Sequence, residues 1–318
     1  MDSNSTQQFT PNIKPLSTTW VLKKKANGQL RARITAQGYL QEEGIHFRGH
    51  STAAPVTNET TIKIVLVMLT LAEREGEVID VKGAFLKGRF NDGEEMYLHI
   101  RLGFESYYNK DCVLKLQRTI YGLKQAAVAF WRELSMAFKT MGFERSIADP
   151  CLYFKNSKNG IVIWISWVDD CLLMGHKEEV SKYKTIMHQL FESEEVRELR
   201  EYVGCKIERN KELKCLKILQ PVIIRSFEDE LNVKPDPKLE TPASYGDVFV
   251  PGAVDDQMSV DKQKIYRSGV GNFLYLSNWS RPGIQNIIRE LSRYFMTATL
   301  AHDKAMRRVM TFCLNTKN

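Results

Sequence analysis

Apolar and polar positions alternate through "TTWVLKKKANGQLRARITAQGYL" (18–40), where WVLKKK and LRARITA flank Asn27–Gly28. A period of two on either side of an Asn-Gly pair predicts a β-hairpin. Residues 1–18 show no period and are expected to form a loose tail. "TIKIVLVMLTLA" (61–72) is apolar almost all round and predicts a buried helix. "EVIDVKGAFL" (77–86) begins as a strand and then loses its period. Helical spacing returns in "AFWRELSMAFKTMGF" (129–143), with Phe130, Leu134, Ala137, Phe138 and Met141 on one face. "EEVSKYKTIMHQLF" (178–191) repeats it through Val180, Tyr183, Ile186, Met187 and Leu190, and "YVGCKIERNKELKCLKIL" (202–219) reads as another hairpin.

Beyond Gln220 the pattern changes. Pro221 suits the first turn of a helix. A connector rich in Pro, Asp and Gly covers about 232–260, and helical patterns follow at about 262–279, 283–297 and 302–314. Strands and helices mix without a βαβ rhythm, which predicts an α+β fold. No apolar run approaches the roughly 20 residues of a membrane helix, and the polar N-terminus lacks a signal-peptide core. A soluble, intracellular protein is expected.

One segment breaks its own pattern. In "WISWVDDCLLMG" (164–175), Ile163, Ile165 and Val168 suggest one buried strand and Leu172, Leu173 and Met174 another, yet Asp169 and Asp170 stand between them. Aspartate favours turns, and for an arbitrary Asp pair that suffices. Here the flanking runs are apolar on both faces. Adjacent carboxylates there stay ionised only beside cations, and a divalent metal meets that need. Asp80, in "VIDVKGAFL", is the best further carboxylate at a strand end. Metals held between such groups would serve an in-line phosphoryl displacement. The net charge of +7 adds a polyanionic partner to the picture, with Lys/Arg clusters near both ends and an acidic middle at "FESEEVRELREY" (191–202). The six cysteines have no zinc spacing.

"DVKGAFLKG", "TIYGLKQAAVAFW", "SWVDDCLLMG" and "YVGCKIE" occur in that order, preceded by "WVLKKKANGQLRARITAQGY" and followed by "YRSGVGNFLYLSNWSRPGI". From about residue 18 to the end, the chain resembles the reverse transcriptase domain of Copia-type LTR retrotransposons. The resemblance implies a right-hand polymerase with fingers, a mixed palm sheet and a helical C-terminal thumb. The implied boundaries are 1–76 for tail and fingers, 77–219 for palm with an interleaved fingers segment at about 88–120, and 220–318 for thumb and connection. Asp80, Asp169 and Asp170 match the catalytic carboxylates; with the Val81 carbonyl they would hold two Mg²⁺ ions, or Mn²⁺ in their place. Phe85 matches the gate against a ribose 2′-hydroxyl. Gly122 matches the close approach of backbone to template and nucleotide, with Lys124 and Gln125 beside it. Arg31 and Arg33 match the cations that meet the triphosphate. Trp167 stands where Tyr is common, Ala127 where many members have Pro, and Gly283 where Asp is usual.

The implied activity is RNA-directed DNA synthesis, with primer, RNA or DNA template and dNTPs as partners and no membrane. RNase H and integrase domains of a parent polyprotein are further expected partners, because the chain reads as an excised piece. The implied location is a cytoplasmic virus-like particle with nuclear access. Two other readings stand beside it: a catalytically idle nucleic-acid-binding remnant, and a different metal-dependent palm enzyme such as a nucleotidyl cyclase.

Overall fold

The computed structural model describes residues 6–8, 14–24, 28–49, 52–109, 112–191 and 193–317. The chain forms two compact units, one of residues 1–69 and 74–198, the other of residues 70–73 and 199–318.

The first unit opens with β1 (Thr6–Gln8), the hairpin β2 (Thr18–Lys24) and β3 (Leu30–Ala36), and helix α1 (Glu59–Leu71). It continues through β4 (Glu75–Val81), β5 (Tyr97–His99), β6 (Cys112–Lys115), α2 (Ala126–Thr140), β7 (Glu144–Arg145), β8 (Leu152–Ser157), β9 (Gly160–Trp167), β10 (Asp170–Gly175), α3 (Lys177–Phe191) and β11 (Ser193–Glu198). The main sheet has the order β11-β4-β10-β9-β8-β7. Its core joins Ile79, Val81, Trp164, Cys171 and Leu173 of the strands to Phe130, Phe138, Tyr183 and Met187 of α2 and α3. Phe138 lies 5.0 Å from Trp164, ring centre to ring centre. Such aromatic packing buries large apolar area with defined geometry.

The α+β class read from the sequence is the one observed. The sheet, however, is antiparallel at every ladder rather than mixed. Successive strands β7 to β10 pair with their chain neighbours, and short connections permit only antiparallel pairing. The predicted tail contains β1, paired with β6, and the buried Leu16. Asn27 of the predicted turn lies outside the described residues; the hairpin itself forms, with Lys24 opposite Leu30. Helix α1 is buried on one side only: Ile62 and Leu69 are fully covered, while Ile64, Val67 and Leu71 are exposed. Leu190, expected on the buried face of α3, is also exposed. β11 runs through the acidic stretch, where no apolar alternation announced a strand.

The second unit holds β12 (Glu201–Tyr202), β13 (Cys205–Asn210) and β14 (Cys215–Leu219) in one sheet, then α4 (Pro221–Asp229), α5 (Val260–Trp279), α6 (Gln285–Ser292) and α7 (Leu300–Asn315). Tyr266, Phe273, Ile284, Met306 and Met310 centre its core. The units divide at 198/199, so the 202–219 hairpin folds with the helices and not with the sheet before it. No boundary at 76/77 separates compact units. Among the described residues, no helix is long and apolar enough to cross a membrane.

His302 illustrates how the second unit is tuned. Its Nδ1 accepts the Thr299 N–H at 3.0 Å, closing the capping box of α7. The ring is buried, with Tyr294 4.5 Å and Phe249 5.5 Å away, centre to centre. Burial holds its pKa below the usual histidine value. Folding therefore favours the neutral ring, and stability is fully present above the unfolded value of about 6.5. As pH falls below that, the unfolded chain takes up a proton that the folded chain resists. Stability should drop by at most about 1.4 kcal/mol per pH unit until the lowered folded pKa is reached. Thermal melts between pH 7.5 and 5.5 check this; His302→Gln, which keeps an acceptor at the cap, should flatten the dependence.

Candidate active site

The sheet register assembles the carboxylates. β10 lies between β9 and β4, and Asp170 stands opposite Asp80 in the β10–β4 ladder. Trp167 pairs with Asp170 across β9–β10, so Val168 and Asp169 form a two-residue turn. Val168 is thus a turn residue rather than part of the buried strand. Its φ is 55°, in the left-handed region that a β-branched residue rarely occupies. Such strain persists only where surrounding structure over-determines it. Here the Val81 N–H donates to the Asp169 carbonyl at 3.0 Å, tying the turn to the end of β4.

Beneath the turn the floor is apolar: Ile79, Cys171, Leu172 and Leu173 are fully buried. Burial pushes the Cys171 thiol well above its usual pKa, and the charges of Asp170, Asp169 and Asp80 push it further in that order. One buried thiol thus feels all three carboxylates.

Above the turn lies a cleft of about 440 Å³ lined by Asp80, Val81, Asp169, Arg31, Arg33, Lys82 and Tyr121, among others. Arg31 and Arg33 lie on β3, far from Asp80 in sequence. Two carboxylates and three cations in one cleft suit a ligand carrying phosphates and metal together. The guanidinium of Arg33 stacks 4.4 Å over the Tyr121 ring, and Phe85 packs edge-on to Tyr121 at 5.1 Å.

Five of the sequence candidates therefore share the cleft: Asp80, Asp169, Val81, Arg31 and Arg33. Asp170 is half-buried in the ladder beside them and is not a lining residue. Phe85 is half-buried against Tyr121 and does not line the cleft, whereas Tyr121 does. Tyr121 was missed, although it stands in "YGLKQA" next to the singled-out glycine.

The remaining candidates have internal work. A Cβ on Gly122 would lie 2.1 Å from the Ala36 carbonyl oxygen, so the close approach that demands glycine is to β3 of the same unit. The Lys124 N–H donates to Gln41 Oε1 at 2.7 Å, and its Nζ donates to the Gln41 carbonyl at 3.1 Å. Gln125 is fully buried; its Nε2 donates to the His46 carbonyl at 3.0 Å and its Oε1 accepts from Gln41 Nε2 at 2.8 Å. Lys124 and Gln125 brace the segment after β3 and do not line the cleft.

Among the described residues, no group of three or more His, Cys, Asp or Glu side chains is close enough to hold a metal by itself. Two cleft carboxylates fit Mg²⁺ all the same, because it is usually held by one or two carboxylates with substrate phosphates completing the shell.

The model of a family described as "Reverse transcriptase (RNA-dependent DNA polymerase)" matches residues 6–235. The chain belongs to this reverse transcriptase family. It is 29% identical over 314 residues to the retrovirus-related Pol polyprotein from transposon TNT 1-94 of Nicotiana tabacum, covering 95% of this chain and 23% of that protein. It is 28% identical over 312 residues to the Pol polyprotein from transposon RE2 of Arabidopsis thaliana, covering 96% and 21%. The chain thus spans under a quarter of the length of these curated relatives. A putative transposon Ty5-1 protein of Saccharomyces cerevisiae is 25% identical over 251 residues, 76% of each chain. A solved structure of a foamy viral protease-reverse transcriptase in complex with double-stranded DNA aligns over 99% of this reverse transcriptase chain and 46% of its own, with 12% identity and a TM-score of 0.47. The Copia-type resemblance read from the motifs is borne out.

Proposed function

We propose that this reverse transcriptase chain catalyses RNA-directed DNA synthesis, transferring a nucleotidyl group from a dNTP to a primer 3′-hydroxyl. The observation that carries this reading is the convergence of Asp80 and Asp169 with Arg31 and Arg33 on one cleft. The cations of β3 would take the triphosphate, Arg33 held in place by its stack on Tyr121. The carboxylates would face the primer end and the α-phosphate. The Val81 N–H, bonded to the Asp169 carbonyl, fixes the turn so that little reorganisation accompanies reaction.

Asp80 and Asp169, with the Val81 carbonyl, would hold two Mg²⁺ ions, with Asp170 supporting from the ladder. Bound there, the ions would lower the pKa of the 3′-hydroxyl and neutralise the departing pyrophosphate. Phe85, packed edge-on against Tyr121, would gate against a ribose 2′-hydroxyl. Residues 1–76 and about 88–120 would serve as tail and fingers, the rest of 77–219 as palm and 220–318 as thumb and connection. Template, primer and dNTPs are the implied partners, with RNase H and integrase domains in a parent polyprotein. A virus-like particle in the cytoplasm, with access to the nucleus, is the implied setting.

Incorporation of dNTPs on a primed RNA template, with Mg²⁺ and the purified chain, tests the reading. No extension under conditions where primer–template is bound would overturn it. Arg33→Ala should raise the KM for dNTP about tenfold and leave kcat within about threefold, the pattern of lost ground-state binding. Arg33→Lys should recover only part of the loss, because lysine lacks the planar fork that stacks on Tyr121. Steady-state kinetics with varied dNTP would show it.

A further inference from the structure

A groove of about 510 Å³ opens on the first unit, walled by the residues after β4, the second half of α2 and the end of α3. Each of these segments leaves an apolar side chain exposed in it: Leu86, Met136 and Leu190. Gathered in one place, such side chains mark a contact surface, and methionine and arginine are enriched at protein interfaces. Lys87, Arg89 and Arg118 line the same groove against a single carboxylate, Glu133, a surplus of two cations (3 − 1). Arg118 Nη1 donates to the Lys87 carbonyl at 2.7 Å, and Arg89 lies 3.5 Å from Glu133. Cations around apolar side chains suit an acidic protein segment with apolar side chains of its own.

The second unit presents such a segment. Between Lys238 and Lys262 the sequence has Glu240, Asp247, Asp255, Asp256 and Asp261, and no Lys, Arg or His. Tyr245, Val248 and Val250 are exposed there, Tyr245 completely. The loop that carries them is anchored. Phe249, between the two valines, packs against the core of its unit, and its carbonyl accepts from Tyr294 Oη at 2.6 Å. Asp247 Oδ2 accepts the Ser244 N–H at 3.0 Å and closes a turn around Tyr245. A loop held in this way loses little freedom on docking.

We propose that the 245–250 loop of one copy of this chain docks in the groove of another. Tyr245, Val248 and Val250 would meet Leu86, Met136 and Leu190, with Asp247 toward the cations of the groove. Loop and groove are different surfaces, so the contact is heterologous and every copy carries both halves of it. One loop in one groove is a small interface, and association should be about micromolar or weaker. Leu86 also lines the catalytic cleft, so the docked loop would rest on a residue shared with that cleft.

Sedimentation of the full chain from about 1 µM to about 1 mM, at low and high salt, tests this. Wild type should associate as concentration rises, and less so at high salt. Arg89→Glu reverses a groove charge, and Val248→Lys sets a like charge on the loop; each should weaken association more than tenfold. Both side chains are exposed, so melting temperatures should stay at the wild-type value; if Val248→Lys melts lower, Val248→Ser takes its place. Mixed together, the groove variant and the loop variant should associate again, because each supplies the half that the other lacks. A wild type monomeric throughout, association that neither substitution weakens, or no recovery on mixing would each overturn the docking. A monomer that binds a single-stranded oligonucleotide, and loses it in Arg89→Glu, would overturn it in favour of nucleic acid in the groove.

Discussion

Replacing Asp169 with asparagine should reduce primer extension at least about 10³-fold, equivalent to about 4 kcal/mol of transition-state stabilisation, while leaving the fold intact. Asparagine has nearly the same shape. The backbone contact that fixes the turn, from the Val81 N–H to the Asp169 carbonyl, does not involve the side chain. What is lost is one of the two carboxylates facing the cleft. A neutral amide oxygen is a far weaker ligand for a hard divalent cation, so the Mg²⁺ requirement should rise together with the loss of rate. Stability should stay within about 1 kcal/mol of wild type or increase, because Asp169, Asp170 and Asp80 no longer all repel within one small region. Gel-resolved extension over a Mg²⁺ series, beside a thermal melt, separates the two effects. An asparagine variant within tenfold of wild type would remove Asp169 from the mechanism, whatever its place in the cleft.

The elements with strong local periods were legible in the sequence. The hairpin at 18–40, α2 and α3 follow from spacing alone, and the paired aspartates stood out because charge interrupted two apolar runs. What local pattern could not carry is pairing at a distance. β11 reads Ser-Glu-Glu-Val-Arg-Glu, with no alternation, and becomes a strand because β4 offers it a backbone edge. α1 looked buried all round because its composition is apolar all round; only packing decides that Ile62 goes in and Ile64 stays out. The 202–219 hairpin, given to the palm at 77–219 by the resemblance, belongs to the same compact unit as the helices that follow. At the site, Asp80, Asp169, Arg31 and Arg33, singled out by motif position, line one cleft. Motif position could not tell a residue that faces the cleft from one that braces it. Gln125 and Tyr121 lie in the same motif, and the fold buries the first against Gln41 and His46 while turning the second toward the cleft.

The same distinction makes Gly122→Ala the second large effect. Gly122 has φ of 91°, where an L-residue is strained at a cost of about 1–3 kcal/mol. An added Cβ would also lie 2.1 Å from the Ala36 carbonyl oxygen and 3.0 Å from its nitrogen. Neither atom can rotate away, because both are backbone and the Ala36 N–H is bonded to the Tyr121 carbonyl at 2.8 Å. Relief requires β3 to separate from the 121–122 segment. Since β3 carries Arg33 and the segment carries Tyr121, that separation breaks the stack that aims the cation into the cleft. The variant should lose about 3 kcal/mol or more, lowering its melting temperature by about 10 °C, and the surviving fraction should show a raised KM for dNTP. Gly28→Ala is the control: φ is 84°, but nothing among the described residues lies within 4 Å of the added Cβ. It should cost only the backbone strain and leave KM unchanged. Equal melting for Gly122→Ala and Gly28→Ala would mean that the contact with Ala36 yields freely, and β3 would then not be what holds Arg33 over Tyr121.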